Sequence, residues 1–453
     1  MLQFIRKLSL KIGIDGAIAY TLLSRVLQAG GGVISILFIT RFLSAEEQGY
    51  YYTFASILAI HVFFELGLSG IITQYAAHEF AHLNWTDDNT LEGEDYYKSR
   101  LSSLLHFCVK WFALISVILF FSLTAIGLYF FKSYNHNINV NWQGPWIILS
   151  LSTGLNLFID PLLAYFEGIG AVKDISKVRF IQKAAYIGLL FLFFFLGLKL
   201  YSTALASLCA ILINYIQILL SKRFYLLKHI WHLKTQWIIN YTKEILPYQW
   251  RIALSWISGY FMFQLFNPVL FATEGAKVAG QMGMSLQVLN GISALSMSWI
   301  NTKIPLFSNL IAKEQYIKLD QMFNETLRSL MSINGLMSLV FVLIIIVLKL
   351  YNIFYNDRFL DIIPTIALTS AMFLYQLIFS WAAYLRCHKT EPLLIYSIGM
   401  GILTSLSTFI FGHLYGVLGI TIGYCLITIL ISLPWVAYVF YTKKREWHVI
   451  IQE

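Results

Sequence analysis

Apolar runs of about 20 residues recur along the whole chain, separated by short polar stretches that carry most of the Pro, Gly and charge. The pattern predicts spans near 17–40, 49–72, 105–131, 146–169, 178–199 and 201–221. After a polar interval a second set follows near 248–272, 278–302, 328–350, 361–384, 391–412 and 414–441. Pro145, Pro247, Pro364 and Pro392 stand at or near predicted helix starts, where a missing backbone donor costs little. The expected fold is an all-α integral membrane protein with twelve transmembrane helices in two six-helix lobes around a central cavity. Residues 1–224 form the first lobe, 225–247 an amphipathic cytoplasmic linker and 248–453 the second lobe.

Composition sharpens this picture. Only 12% of the 453 residues are charged while 58% are hydrophobic and 16% aromatic, more apolar surface than an aqueous domain hides. The formal charge of +9 does not imply nucleic acid, because the cations lie scattered between apolar runs with no basic face or binding motif. Most of the 32 Lys and Arg fall at the termini and in the even-numbered loops. Cations are retained on the cytoplasmic side, so both termini are expected in the cytoplasm, which requires an even number of spans. The N-terminal stretch MLQFIRKLSLKIGIDG reads as an interfacial lead-in to the first span. The four cysteines show no metal-ligand spacing, and the acidic loop around Asp87, Asp88, Glu92, Glu94 and Asp95 does not follow the order of a calcium loop. Neither a metal nor a cofactor is implied.

A weak internal repeat pairs LYSTALASLCAIL (200–212) with LYGVLGITIGYCL (414–426), and the loop before Gly49 with that before Gly280. Two halves of six spans share one orientation and relate by an axis along the bilayer normal. Residues 225–246 place Leu227, Trp231, Ile238, Tyr241 and Ile245 at helical spacing, which predicts a surface-lying linker helix. It would serve either as a flexible coupling between the halves or as a tether on anionic lipid.

Ionised groups at membrane depth cost about 2.5 to 3.5 kcal/mol on insertion scales, so those that occur face a cavity or a partner. In span 1, Thr21, Arg25, Gln28, Gly32 and Ser35 form one polar stripe, with Arg25 near mid-depth. In span 4 the stripe is Thr153, Asn156, Asp160 and Glu167, with Pro161 beside the mid-depth carboxylate. Span 2 adds His61 and Glu65, four apart and thus on one helix face. Span 7 carries Tyr260, Gln264 and Asn267, and span 8 carries Gly283, Gln287, Asn290 and Asn301. Lys110, Lys183 and Arg251 fall where long side chains reach the interface. Arg25 has two readings, a phosphate-binding guanidinium in a wet cavity or a structural pair with Asp160. Asp160, His61 and Glu65 are candidates for proton or sodium coupling, or for packing contacts. The glycines at 30 to 32 serve either a bend or close helix packing.

The stretches RFLSAEEQGYYYTFASI (41–57), ELGLSG (65–70), YFEGIGAV (165–172), LPYQWRIALSWISGYF (246–261) and PLFSNLIAKEQYIKLDQMF (305–323) resemble the polysaccharide and O-antigen flippases (Wzx-type). These are bacterial transporters of the multidrug/oligosaccharidyl-lipid/polysaccharide exporter superfamily, and the resemblance runs across nearly the whole chain. It implies alternating access by two lobes and translocation of an isoprenoid diphosphate-linked oligosaccharide across the cytoplasmic membrane. Membrane lipids and polysaccharide assembly proteins would be its neighbours. The resemblance further implies that cavity cations hold the diphosphate, Arg25 first, then Arg41 and Arg251. Gln28, Asn156, Tyr260, Gln264, Asn267, Gln287 and Asn290 would then bond sugar hydroxyls. Two other classes stand beside this one: a cation-coupled drug exporter of the same architecture, and a membrane-embedded polymerase or acyltransferase.

Overall fold

The computed structural model describes residues 16–86, 90–134, 140–233, 236–352, 355–388 and 390–449, with a few side chains, Arg25 and Gln28 among them, outside the description. Among the described residues, eight helices are individually long and apolar enough to cross a membrane. The chain is an all-α, multi-pass membrane protein. Its only strands among the described residues, β1 (Leu83–Trp85) and β2 (Leu91–Gly93), pair antiparallel with Asn84 opposite Glu92, a hairpin that the apolar pattern does not foretell.

The helices divide into two compact units. The first takes the chain up to Phe38 and Ile57–Trp256; the second takes Ile39–Ser56 and Ile257 onward. Each unit holds residues from both sequence halves: the end of α1 (Gly16–Phe42) and nearly all of α2 (Ala45–Leu58) belong to the second unit, and the residues up to Trp256 to the first. A capping box starts α2: Ser44 Oγ accepts from Glu47 N–H at 3.0 Å and the Glu47 carboxylate accepts from Ser44 N–H at 2.8 Å.

In the first unit, the predicted second span is broken. A 3₁₀ turn (Ala59–His61) and one helical turn (Val62–Glu65) end at left-handed Leu66 and Gly67 before α3 (Leu68–Phe80) resumes. Leu66, with φ of 50°, carries a side chain where glycine is the ordinary occupant, a local strain of about 1 kcal/mol or more. Next come α4 (Asp95–Tyr134), α5 (Gln143–Gly168), α6 (Val172–Phe195) and α7 (Leu200–Leu219). Forty residues make α4 roughly 60 Å long, twice the hydrocarbon thickness. Its first turns, before the apolar run at 105, therefore stand clear of the bilayer core.

Those turns carry the linker, which departs from the expected helix. The helix α8 (Lys222–Trp231) stops at Trp231, and residues 238–240 are irregular, with Asn240 extended, before a π-helical turn (Tyr241–Ile245) opens α9 (Leu246–Phe263). The physical reason is a competing set of partners on α4. Ser99 Oγ accepts from Trp237 N–H at 2.8 Å, Ser103 Oγ accepts from Ile239 N–H at 3.2 Å, and Phe107 stacks on Tyr241. Arg100 closes the junction, donating from Nη2 to Glu244 Oε2 at 2.6 Å and from Nε to Glu79 Oε1 at 2.9 Å. The linker is docked on α4 within the first unit.

The second unit continues from Ile257 in α9 through α10 (Phe266–Thr273), α11 (Ala276–Asn301), α12 (Ile304–Ala312), α13 (Tyr316–Leu350), α14 (Ile362–Arg386), α15 (Leu394–Ile427) and α16 (Leu433–Val449). The seventh predicted span is interrupted at Gln264–Leu265, because Pro268 lacks the N–H that the Gln264 carbonyl would accept. The eleventh and twelfth join in α15 across Gly416, whose φ of 58° turns the chain. Against α11 sit the repeat-equivalent glycines. A Cβ on Gly49 would lie 1.8 Å from the Ala276 carbonyl oxygen, and one on Gly280 would lie 2.8 Å from Gly49 N. Arg358 fastens the same segment, donating to the Thr40 and Leu43 carbonyls at 3.1 and 2.7 Å. Buried Gln48 donates to the Gly280 carbonyl at 2.8 Å.

Two outcomes are expected. Gly49→Ala forces backbone apart and lowers stability in detergent by about 1 to 3 kcal/mol, while Gly32→Ala, which meets nothing within 4 Å, leaves the melting temperature level or higher. Thermal unfolding of both variants checks this. For the linker, the hydrogen bond and charge of Arg100 hold Glu244 below the usual carboxylate range. A depressed pKa stabilises docking above the ordinary Glu value, and that contribution is lost as pH falls through the lowered one. Hydrogen exchange at Trp237 and Ile239 should therefore accelerate relative to the base trend below about pH 4.5. Glu244→Gln should be fast at neutral pH as well; equal protection in both proteins would refute the latch.

Candidate functional site

The first unit gathers the ionisable groups at membrane depth. The break in span 2 holds His61 and Glu65, both half-buried; His61 Nδ1 lies 3.0 Å from the Leu58 carbonyl oxygen, and Glu65 Oε1 accepts from the Ser69 hydroxyl at 2.8 Å. Ser69 is in the first turn of α3, so the carboxylate ties the segment before the break to the helix after it. Asp160 sits on α5 one residue before Pro161, and it feels the charges of Arg179, Glu65, His61 and Glu167. Arg179, on α6, reaches Glu167 with Nε 3.4 Å from Oε1.

Beside Asp160 runs a chain of amides. Gln182 donates to Asn156 Oδ1 at 3.1 Å, Asn214 donates to Gln182 Oε1 at 3.1 Å, and Asn156 returns a bond to the Ser152 carbonyl at 3.2 Å. Asn214 is fully buried and its Oδ1 has no hydrogen-bond partner among the described residues. Tyr215, on the adjacent position of α7, donates to the Leu155 carbonyl at 2.9 Å and lies within electrostatic range of Asp160. Three helices are thus joined by polar contacts around one carboxylate, an arrangement able to hold a proton or a small cation.

The remaining expected positions are spread differently. Arg25 and Gln28 lie on α1, but their side chains are outside the described residues. Arg251 is exposed in the first unit with its guanidinium 5.4 Å from the Trp250 ring centre. In the second unit, Arg41 and Asn290 are exposed, Gln264 is half-buried at the break after α9, and Tyr260 is buried. Asn267 is buried and donates to the Ser56 hydroxyl at 3.1 Å, and Gln287 accepts from the Tyr52 hydroxyl. Asn156, Asn267 and Gln287 are therefore committed to partners within the protein. Sequence reading passed over Arg179, Gln182, Asn214 and Tyr52; an amide or guanidinium inside an apolar run was the signal for the first three. Of the glycines at 30 to 32, only Gly31 packs tightly, with Ile187 2.6 Å from where a Cβ would be.

The fold is that of known solute and lipid transporters. The chain matches an inward-facing multidrug resistance MATE family transporter of the MOP superfamily with a TM-score of 0.61 and 14% identity, over 95% of this chain and 98% of that one. It matches the lipid II flippase MurJ in an inward closed conformation at 0.57 and 14%, over 96% and 89%. The MATE multidrug transporter DinF-BH, in complex with R6G, matches at 0.58 and 14%, over 95% of each chain. No protein-family model matches, and no curated protein matches by sequence. At this identity the likeness defines the architecture.

If the amide chain organises the first unit, Gln182→Leu strands one acceptor on Asn156 and one donor on Asn214. Interhelical hydrogen bonds in membranes average about 0.6 kcal/mol in cycles, rising toward 2 for good ones. The expected loss is about 1 to 2 kcal/mol, read as a lower melting temperature in detergent, with Gln182→Asn intermediate.

Proposed function

We propose that the protein is a flippase that moves a lipid-linked oligosaccharide, carried on an isoprenoid diphosphate, from the cytoplasmic to the outer leaflet of a bacterial inner membrane. It works by alternating access, with both termini in the cytoplasm, and feeds surface polysaccharide assembly. The observation that carries the reading is a transporter architecture shared end to end with MATE proteins and MurJ, joined to a cluster of ionisable groups at membrane depth in the first unit. A sugar diphosphate is too polar for hydrocarbon, whereas its isoprenoid tail is at home there, so a hydrated path for the head suffices and no covalent step is needed. Arg25 supports the diphosphate through paired, charge-assisted hydrogen bonds. Protonation or sodium binding at Asp160, with His61 and Glu65 beside it, couples an ion gradient to the cycle if ion and substrate prefer different states.

A second reading, cation-coupled export of lipophilic cations, is favoured by the carboxylates Glu65, Asp160 and Glu167, which outnumber Arg179 in the described part of that cluster.

Vesicles containing the purified protein decide between them. A prenyl diphosphate oligosaccharide should appear in the opposite leaflet at a rate that Arg25→Ala cuts at least about tenfold, the cost of one lost 1.4 kcal/mol contact, with folding unchanged. Asp160→Asn should abolish acceleration by a proton or sodium gradient while leaving downhill exchange. Gradient-driven uptake of a cationic dye without movement of the prenyl diphosphate would sink the flippase reading and establish the second.

A further inference from the structure

A cavity of about 480 Å³ opens in the first unit where α3, the first turns of α4 and the entry to α9 meet. Glu79, Arg100 and Glu244 line it together with Ile71, Tyr75 and Ile252. Two carboxylates face one guanidinium. Arg100 satisfies Glu79 Oε1 at 2.9 Å and Glu244 Oε2 at 2.6 Å, which leaves the trio one negative charge in excess. Glu79 is 2% exposed, and its second oxygen has no hydrogen-bond partner among the described residues. His78 Nδ1 is 3.8 Å from Glu79 Oε1, yet its side chain is mostly exposed and balances the charge only when protonated.

A buried carboxylate oxygen with an unused lone pair is costly, and a cation beside it offsets that cost. Size and lining identify the kind of cation. A water takes about 30 Å³, so the space far exceeds a bare monovalent ion. Ile71 and Ile252 add apolar surface that such an ion would not use. The site lies at the end of α3 and before the apolar run of α4 begins. A primary ammonium brings three hydrogen-bond donors and a charge, and on a lipid it arrives with an apolar body attached.

We propose that this cavity binds the ammonium headgroup of a membrane aminophospholipid, with Glu79 and Glu244 as the carboxylates of the site. The occupant thereby seals the junction at which the linker is docked.

The test uses the full-length protein purified in detergent, with phosphatidylethanolamine, phosphatidylcholine or phosphatidylglycerol added, and reads thermal unfolding and lipid retention by native mass spectrometry. Phosphatidylethanolamine should raise the melting temperature by several degrees and be retained. Phosphatidylcholine, whose quaternary nitrogen donates no hydrogen bond, should do neither. Glu79→Gln should lose the ethanolamine-specific shift. Ile252→Trp, which keeps every charge and puts a larger ring into the cavity beside the carboxylates, should lose it as well and decides the matter if the first variant does not fold. Equal shifts from the ethanolamine and choline lipids, or a shift that survives Ile252→Trp, overturns the proposal. Full stabilisation by methylammonium alone would assign the site to a free amine and overturn the lipid.

Discussion

Hydrocarbon offers no partner to a polar group, so each donor and acceptor at membrane depth must be met within the protein or at a wet surface. Both units meet that demand with bonds across helices, as from Asn267 to Ser56 and from Asn334 to Ser296 in the second, and with bonds inside them. In the first, amides bond across helices through Asn156, Gln182 and Asn214, and ionisable groups collect around Asp160. In the second, hydroxyls mostly return to their own helix, as Ser296, Ser380, Thr408 and Thr428 do to carbonyls four residues back. Its ion pairs belong to helix ends and connections, such as Lys277 with Asp357, Lys349 with Asp361 and Lys444 with Asp320.

The same demand accounts for where helices break. A left-handed residue at Leu66 interrupts the backbone ladder in mid-span, and the loss is tolerable because Glu65 and Ser69 bridge the gap with a side-chain bond. Gln264 loses its acceptor role to Pro268 at a comparable break in the seventh predicted span. Discontinuous helices of this kind recur in transporters where backbone groups and half-helix ends line the path of a polar solute. In this chain, candidate residues sit at both breaks: His61 and Glu65 at one, Gln264 and Asn267 at the other.

Hydropathy made the helical segments legible, since an apolar run longer than the bilayer core has few alternatives, and proline placed several of their starts, as at Pro145, Pro247 and Pro364. The break after Glu65 was not legible, because no proline marks it and Leu66 gives no sign of a positive φ. The linker misled for a different reason. Its spacing suits an amphipathic helix, but spacing carries no information about Ser99 and Ser103, whose hydroxyls 138 and 136 residues away take the amide protons a helix would have used. Asp160, His61 and Glu65 are candidates because of their depth and, for the last two, a shared helix face. Their neighbours Arg179 and Gln182 were not among them, since partner choice depends on which faces of α5 and α6 meet.

The internal repeat gains meaning from the contact it produces. Gly49 and Gly280 are equivalents in the repeat, and they touch backbone to backbone, with Tyr52 seated over Gly283 one turn further on. No side chain larger than hydrogen fits at that approach. Gly49 on α2 and Gly280 on α11 therefore answer one steric requirement, the close approach of the two helices.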